Sequence, residues 1–227
     1  QGIENSLSSN NVLSICQLND GRMAVGFQGA GLDIIDAGTS SYIHYKHNDK
    51  NVLSLSNDDV MCILQDKAGT IWIGTYGGGM DVFNINTGKF YCYTERDGLS
   101  NNSIYGMVDD QAGNLWISTN SGITKFTKPS NTSVKYKGIE NREPLFRKYL
   151  NISGLSSNEY NQGAYFRAKS GHIFFGSVQG LVMFHPDSLK NNSVAPPVVI
   201  TGFQLFNKNV YAGDANHVLT TQISETK

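Results

Sequence analysis

The chain has 227 residues, 39% of them apolar and 11% aromatic, which is enough to bury a core and excludes a disordered polypeptide. Lys and Arg total 18 against 19 Asp and Glu, for a formal net charge of -1. That balance excludes an electrostatic claim on nucleic acid or an anionic membrane surface, since both need clustered cations.

No apolar stretch approaches the roughly 18 residues that cross a bilayer. The opening Gln1-Gly2-Ile3-Glu4-Asn5 lacks the basic and apolar regions of a signal peptide. Any membrane attachment is therefore expected through segments outside this sequence. Cys16, Cys62 and Cys92 show no C-x-x-C spacing and read as small buried hydrophobes in strands, not as a disulfide framework or zinc site.

In chain order, the first element is Leu7-Ser8-Ser9-Asn10-Asn11-Val12. It returns as Leu55-Ser56-Asn57-Asp58-Asp59-Val60, Leu99-Ser100-Asn101-Asn102-Ser103-Ile104 and Leu155-Ser156-Ser157-Asn158-Glu159-Tyr160, at spacings of 48, 44 and 56 residues. A second block follows each time: Gly21-Arg22-Met23-Ala24-Val25-Gly26, Gly69-Thr70-Ile71-Trp72-Ile73-Gly74, Gly113-Asn114-Leu115-Trp116-Ile117-Ser118 and Gly171-His172-Ile173-Phe174-Phe175-Gly176. The distance from Leu to Gly is 14 residues in three copies and 16 in the fourth. Two blocks in register over four copies establish an internal repeat, with units at about 1-52, 53-97, 98-152 and 153-194.

Each unit predicts four short strands. In the second these are Val60 to Gln65, Thr70 to Thr75, Gly79 to Asn84 and Lys89 to Thr94, rich in β-branched and aromatic residues. Asp66-Lys67-Ala68-Gly69 and Asn86-Thr87-Gly88 supply the turns. The third unit carries an insertion in which Glu143 to Leu150 predicts the one helix, with Pro144 near its start and Leu145, Phe146, Tyr149 and Leu150 as an apolar face. The fourth unit is short of an outer strand because Leu189 to Ser193 is polar. Repeated four-stranded units of about 45 residues predict an all-β fold of β-propeller blades.

Gly69 to Thr75, followed by Gly77-Gly78-Gly79-Met80-Asp81-Val82-Phe83, resembles the two-component regulator propeller repeat. Gly113 to Thr119, ending in Gly122-Ile123-Thr124-Lys125-Phe126, is a second match, whereas Ala24 and Phe174 replace the Trp in the other copies. Pro196-Pro197-Val198-Val199-Ile200-Thr201-Gly202-Phe203-Gln204-Leu205-Phe206-Asn207 resembles the first strand of the three-tyrosine (YYY) β-sandwich domain that follows such propellers. Residues 195-227 are thus either the start of a truncated sandwich or the outer strand that closes the last blade.

Together these segments resemble the periplasmic region of a Bacteroides-type hybrid two-component sensor histidine kinase. The resemblance implies that the four blades are part of a larger propeller and that the kinase lies outside this chain. It also implies a non-catalytic sensor, attached to the inner membrane through absent segments, that detects an oligosaccharide signal.

The residues themselves favour recognition over catalysis. The Leu-Ser-x-Asn/Asp block recurs in every unit, as a turn does and a single catalytic site does not. Trp72, Trp116 and Phe174 share one strand position and read as wedges packing blade on blade, with sugar stacking as the functional alternative. Gly77-Gly78-Gly79 lacks the Lys and helix of a phosphate loop. His44, His47, His172, His185 and His217 lack zinc-ligand spacing, so no metal or other cofactor is expected. The pairs Asp58-Asp59 and Asp109-Asp110 read as solvated turn charges.

At the turn between second and third strands the copies differ, with Gln28, Tyr76, Asn120 and Gln179. Variation within a constant frame marks them as candidate ligand-binding residues, because amides and an aromatic face suit sugar hydroxyls and rings. The other reading is an interaction platform that forms a homodimer through exposed blade edges and has no small-molecule site of its own.

Overall fold

The computed structural model describes residues 6–36, 38–128, 146–149, 159–189 and 204–211. The first blade is β1 (Val12–Gln17), β2 (Met23–Phe27), β3 (Leu32–Asp36) and β4 (Ser41–Tyr45). The second is β5 (Val60–Gln65), β6 (Ile71–Thr75), β7 (Met80–Asn84) and β8 (Lys89–Tyr93). The third is β9 (Ile104–Asp109), β10 (Leu115–Thr119), β11 (Gly122–Phe126) and β12 (Phe146–Tyr149). The fourth consists, among the described residues, of β13 (Tyr160–Arg167), β14 (Ile173–Ser177) and β15 (Gly180–Phe184). Each blade is an antiparallel meander, and β1, β5, β9 and β13 lie side by side as the inner strands of a β-propeller.

The chain divides into two compact units, Gln1–Ser188 and Leu189–Lys227. In the second unit, β16 (Gln204–Leu205) and β17 (Lys208–Asn209) form a small hairpin. There Gln204 pairs with Asn209 and Leu205 with Lys208. Residues 196–203 lie outside the described residues, as does most of the fourth Leu-Ser block.

The helix expected at Glu143 to Leu150 is a strand where it is described. Phe146 to Tyr149 pair with Ile123 to Phe126, forming the missing outer strand of the third blade. Phe146 is buried while Arg147 and Lys148 face solvent. Phe146 and Tyr149, two of the residues that suggested a helical face, pair in the sheet instead, and tertiary pairing overrides the local pattern.

Packing between blades explains the repeated second block. Trp72 lies fully buried between the second and third blades, its ring 5.4 Å from that of Phe126. Trp116 is buried likewise, with Phe184 of the fourth blade 4.7 Å away. At the next glycine, Gly74, a Cβ would come within 2.5 Å of Ile104, so only glycine lets the neighbouring inner strand approach.

Each indole needs an acceptor once it leaves water. Trp72 Nε1 donates to Asp66 Oδ2 at 2.8 Å, and Trp116 Nε1 donates to Asp110 Oδ2 at 3.0 Å. Asp66 also takes Lys128 Nζ at 2.5 Å, and that ammonium sits 5.7 Å from the Trp72 ring centroid. Where the indole is absent, so is the acid: Leu18 with Ala24, and Ala168 with Phe174, occupy the same turn and strand positions.

Phe174 departs from the wedge reading. It is half-buried and pairs with the exposed Phe166 on its own sheet, 6.3 Å away, while Tyr160, Phe175 and Phe184 of that blade are buried. Cys62 is buried, and Cys16 and Cys92 are half-buried; all three are free thiols.

The acid and indole positions define a test. Trp116→Phe keeps most of the wedge but leaves Asp110 one donor short, and should cost about 1–3 kcal/mol in urea unfolding. Adding Asp110→Ala reproduces the fourth-copy pair and should recover part of that loss, giving a coupling of roughly 0.5–3 kcal/mol in the double-mutant cycle. Additive costs would show that the bond contributes nothing specific.

Candidate functional site

The second-to-third-strand turns and the lead-ins to the inner strands form one rim. Gln28 N donates to Asn11 O at 3.0 Å, Tyr76 N to Asp59 O at 3.0 Å, and Asn120 N to Ser103 O at 3.4 Å. In the fourth blade the bond is made by Val178 N to Glu159 O at 3.2 Å. Val178, which is 59% exposed, therefore holds the repeat position, and Gln179 lies one residue beyond it. Counting two residues from Gly176 would have found this in the sequence. All four expected residues are exposed on the rim.

The inner strands add residues that sequence reasoning missed. Beside the rim, Leu13, Met61 and Tyr105 each form a one-residue bulge in the pairing of first and second strands. Tyr105 brings its ring to 6.4 Å from that of Tyr76. Burial first, and then the nearby Tyr76 and Glu159, push the Tyr105 hydroxyl above its ordinary pKa.

Acids at the rim act as latches. Asp59 Oδ1 accepts Gly29 N–H at 2.6 Å, and Asp58 Oδ1 accepts His47 N–H at 2.7 Å. Below them, Asp109 meets Arg167 at 3.6 Å and Asp110 holds Trp116. These pairs are not simply solvated turn charges: Asp58, Asp59 and Asp110 accept main-chain N–H groups, and Asp109 meets an arginine.

Under the rim, the serine of the Leu-Ser block ties the inner-strand lead-in to the third strand in each of the first three blades. Ser8 N donates to Asp33 Oδ2 at 2.8 Å, Ser56 N to Asp81 Oδ2 at 3.0 Å and Ser100 N to Thr124 Oγ1 at 3.0 Å. In the first blade this brings Ser8, His44 and Asp33 together. Ser8 Oγ lies 2.7 Å from His44 Nδ1 and 2.6 Å from Asp33 Oδ1, and the same Nδ1 lies 2.6 Å from that Oδ1. A nucleophilic triad needs serine and acid on opposite ring nitrogens. Both meet Nδ1 here, so the arrangement is a structural latch.

The remaining candidates are local. Gly77-Gly78-Gly79 forms the β6–β7 turn, with φ of 101° at Gly79, whose N–H donates to Asn102 O at 2.9 Å. His172 and His185 stack edge to face, 5.2 Å apart, beside Asp187. Among the described residues, no three His, Cys, Asp or Glu side chains are placed to hold a metal ion.

Residues 54–77 and 98–121 match the Two component regulator propeller family. A histidine kinase of Formosa agariphila is 35% identical over 79 residues, covering 35% of this chain and 6% of the kinase. The extracellular domain of a hybrid two-component system from B. thetaiotaomicron matches with a TM-score of 0.69 at 25% identity, over 92% of this chain and 27% of that one. The extracellular domain of a one-component system from the same organism matches in fold, with a TM-score of 0.62 at 22% identity, over 82% and 25% of the two chains. The chain thus spans about a quarter of these domains and a small part of the kinase. Its second and third units match two-component regulator propeller repeats, and the chain is similar to the extracellular domain of a hybrid two-component system.

Asp81 gives the latch a pH signature. It is fully buried with Oδ1 unpartnered, and burial, only partly offset by the bonds from Ser56, pushes its carboxyl up to about 6. A folded pKa above the unfolded one means that the folded state holds the extra proton between about pH 4 and 6. Ionising Asp81 should therefore cost on the order of 3 kcal/mol above pH 6, relative to below pH 4. Asp81→Thr, copying Thr124, should remove this component. Urea midpoints at pH 7 and 4.5 check it: a wild type–variant stability difference constant with pH would overturn the assignment.

Proposed function

We propose that the chain is a non-catalytic sensor module from the periplasmic part of an inner-membrane hybrid two-component receptor. The observation that carries this reading is the likeness over 92% of the chain to the extracellular domain of such a system. The ligand class is an oligosaccharide, bound on the rim that presents Gln28, Tyr76, Asn120 and Gln179. Amides can bond vicinal hydroxyls, and the exposed face of Tyr76 offers a stacking surface. Binding signals only if the ligand prefers one of two arrangements of the receptor, which a histidine kinase outside this chain then reads.

Calorimetric titration of the chain with a panel of plant, algal and host oligosaccharides tests the reading. At least one should bind, and alanine at a contacting rim residue should weaken it by about tenfold, the effect of losing one good contact. No binding across the panel would remove the sensing role from this chain.

A second reading, a homodimer formed through the end blades, has its own observation. Ile15 on the first blade is 62% exposed, and Phe166, Leu181 and Met183 on the last are 64%, 60% and 57% exposed. Such apolar surface favours a covering partner. Light scattering across a concentration range should then show a dimer that dissociates on dilution and that Phe166→Lys abolishes. A monomer at every concentration would end that reading.

A further inference from the structure

The fourth inner strand breaks the pattern of the other three. In the first three blades the bulge between first and second strands is one residue, at Leu13, Met61 and Tyr105. In the fourth, Tyr160 pairs with Ser177 and Tyr165 with Phe175, while the Ala164 side chain lies against Gly176. Asn161, Gln162 and Gly163 are therefore all bulged out, all exposed, with φ of 70° at Gly163. This two-residue enlargement accounts for the Leu-to-Gly spacing of 16 in place of 14. A bulge of this size leaves several main-chain groups unpaired and re-aims side chains, which a purely structural blade has no use for.

Its position gives it a use. β13 lies beside β9, so the enlarged bulge of one strand neighbours the Tyr105 bulge of the other. Tyr105 in turn meets Tyr76 across the second and third blades. The exposed ring of Tyr76, the half-buried ring of Tyr105 and two amides beside them match a ring that has an apolar face and polar edges. The charge on the same rim restricts the choice further. Asp59 and Glu159 place two carboxylates around the tyrosines, Glu159 near enough to act on the Tyr105 hydroxyl. A negative rim repels acidic ligands and tolerates or attracts neutral and cationic ones.

We propose that Tyr76, Tyr105 and the Asn161-Gln162-Gly163 bulge form the ligand subsite of the rim, and that it takes a neutral or amino-sugar pyranose in preference to a uronic acid or sulfated sugar. This rests on the preceding reading that the rim binds a sugar. The aromatic pair stacks on the ring, and the bulge supplies amide and main-chain bonds to its hydroxyls. Gln28, in the first blade, contributes less than the residues of the second to fourth.

Calorimetric titration of the full chain tests this with neutral hexasaccharides of glucose, mannose, galactose and xylose, the glucosamine hexamer and the galacturonate hexamer. Tyr105→Ala, and separately deletion of Gln162 and Gly163, should each weaken the best neutral or amino-sugar ligand by about tenfold. Tyr105→Phe, which keeps the ring, should stay within about threefold. Asn161→Ala/Gln162→Ala replaces the deletion if thermal unfolding shows that the shortened strand does not fold. Wild-type affinity in Tyr105→Ala and the bulge variants, with loss in Gln28→Ala, would move the subsite and leave the sensing role standing. Preference for the galacturonate hexamer would overturn the ligand class. No binding by any hexamer would overturn both the inference and the reading beneath it.

Discussion

A four-stranded propeller blade cannot bury both faces of its sheet by itself, and everything else in this chain follows from that. The apolar alternation of each strand sends residues to two faces, so a blade becomes stable only when neighbours cover both. Ile34 of the first blade and Phe83 of the second belong to one core, and Trp72 of the second joins Ile117 and Phe126 of the third in the next. These two cores lie between repeats, while a smaller cluster of Val25, Phe27 and Ala30 lies within the first blade. The repeat is a unit of sequence, and the interface between repeats is the unit of stability.

That constraint dictates what can vary. A wedge position must be filled, and a large indole fills it best, but its N–H must then bond inside a dry interface. The chain meets this with an acid in the turn after the inner strand, and the acid disappears where the indole does. Two of the buried carboxylates, Asp66 and Asp81, behave oppositely with pH because their partners differ. Burial raises Asp66 too, but Lys128 and Trp72 outweigh it and leave its pKa lowered, so its contribution is lost only in acid. Asp81 has no cation bonded to it among the described residues and stays raised.

Much of this was legible from the sequence. The four blades, the strands of the second unit and its turns follow from two blocks in register, because turn glycines and β-branched runs act locally. The indole–acid pairing was also there to read, as Asp66 six residues before Trp72 and Asp110 six before Trp116. What escaped was decided by tertiary pairing. Phe146 and Tyr149 look like one helical face until β11 offers an unpaired edge. Asp58 and Asp59 look solvated until the turn of the previous blade presents its N–H groups. The rim residue of the fourth copy is Val178, because hydrogen bonding, and not residue type, defines equivalence.

The repeat also separates frame from function in a way one spacing reveals. Positions that pack blade on blade vary together, as the indole and its acid do, since a change at one is felt by the next. Positions on the rim are held by main-chain bonds to the neighbouring lead-in, which any side chain can make, so residue type can differ there. An inserted pair of residues would be expected in a surface loop, where it costs little. In the fourth unit it sits inside the inner strand instead, where it interrupts pairing near the crowded part of the fold. The strand resumes register at Tyr165, whose ring covers Gly106 of the neighbouring strand, so the packing below is intact and the disturbance is confined to the rim. A defect placed where it costs pairing but spares packing is what a binding surface requires of a rigid scaffold.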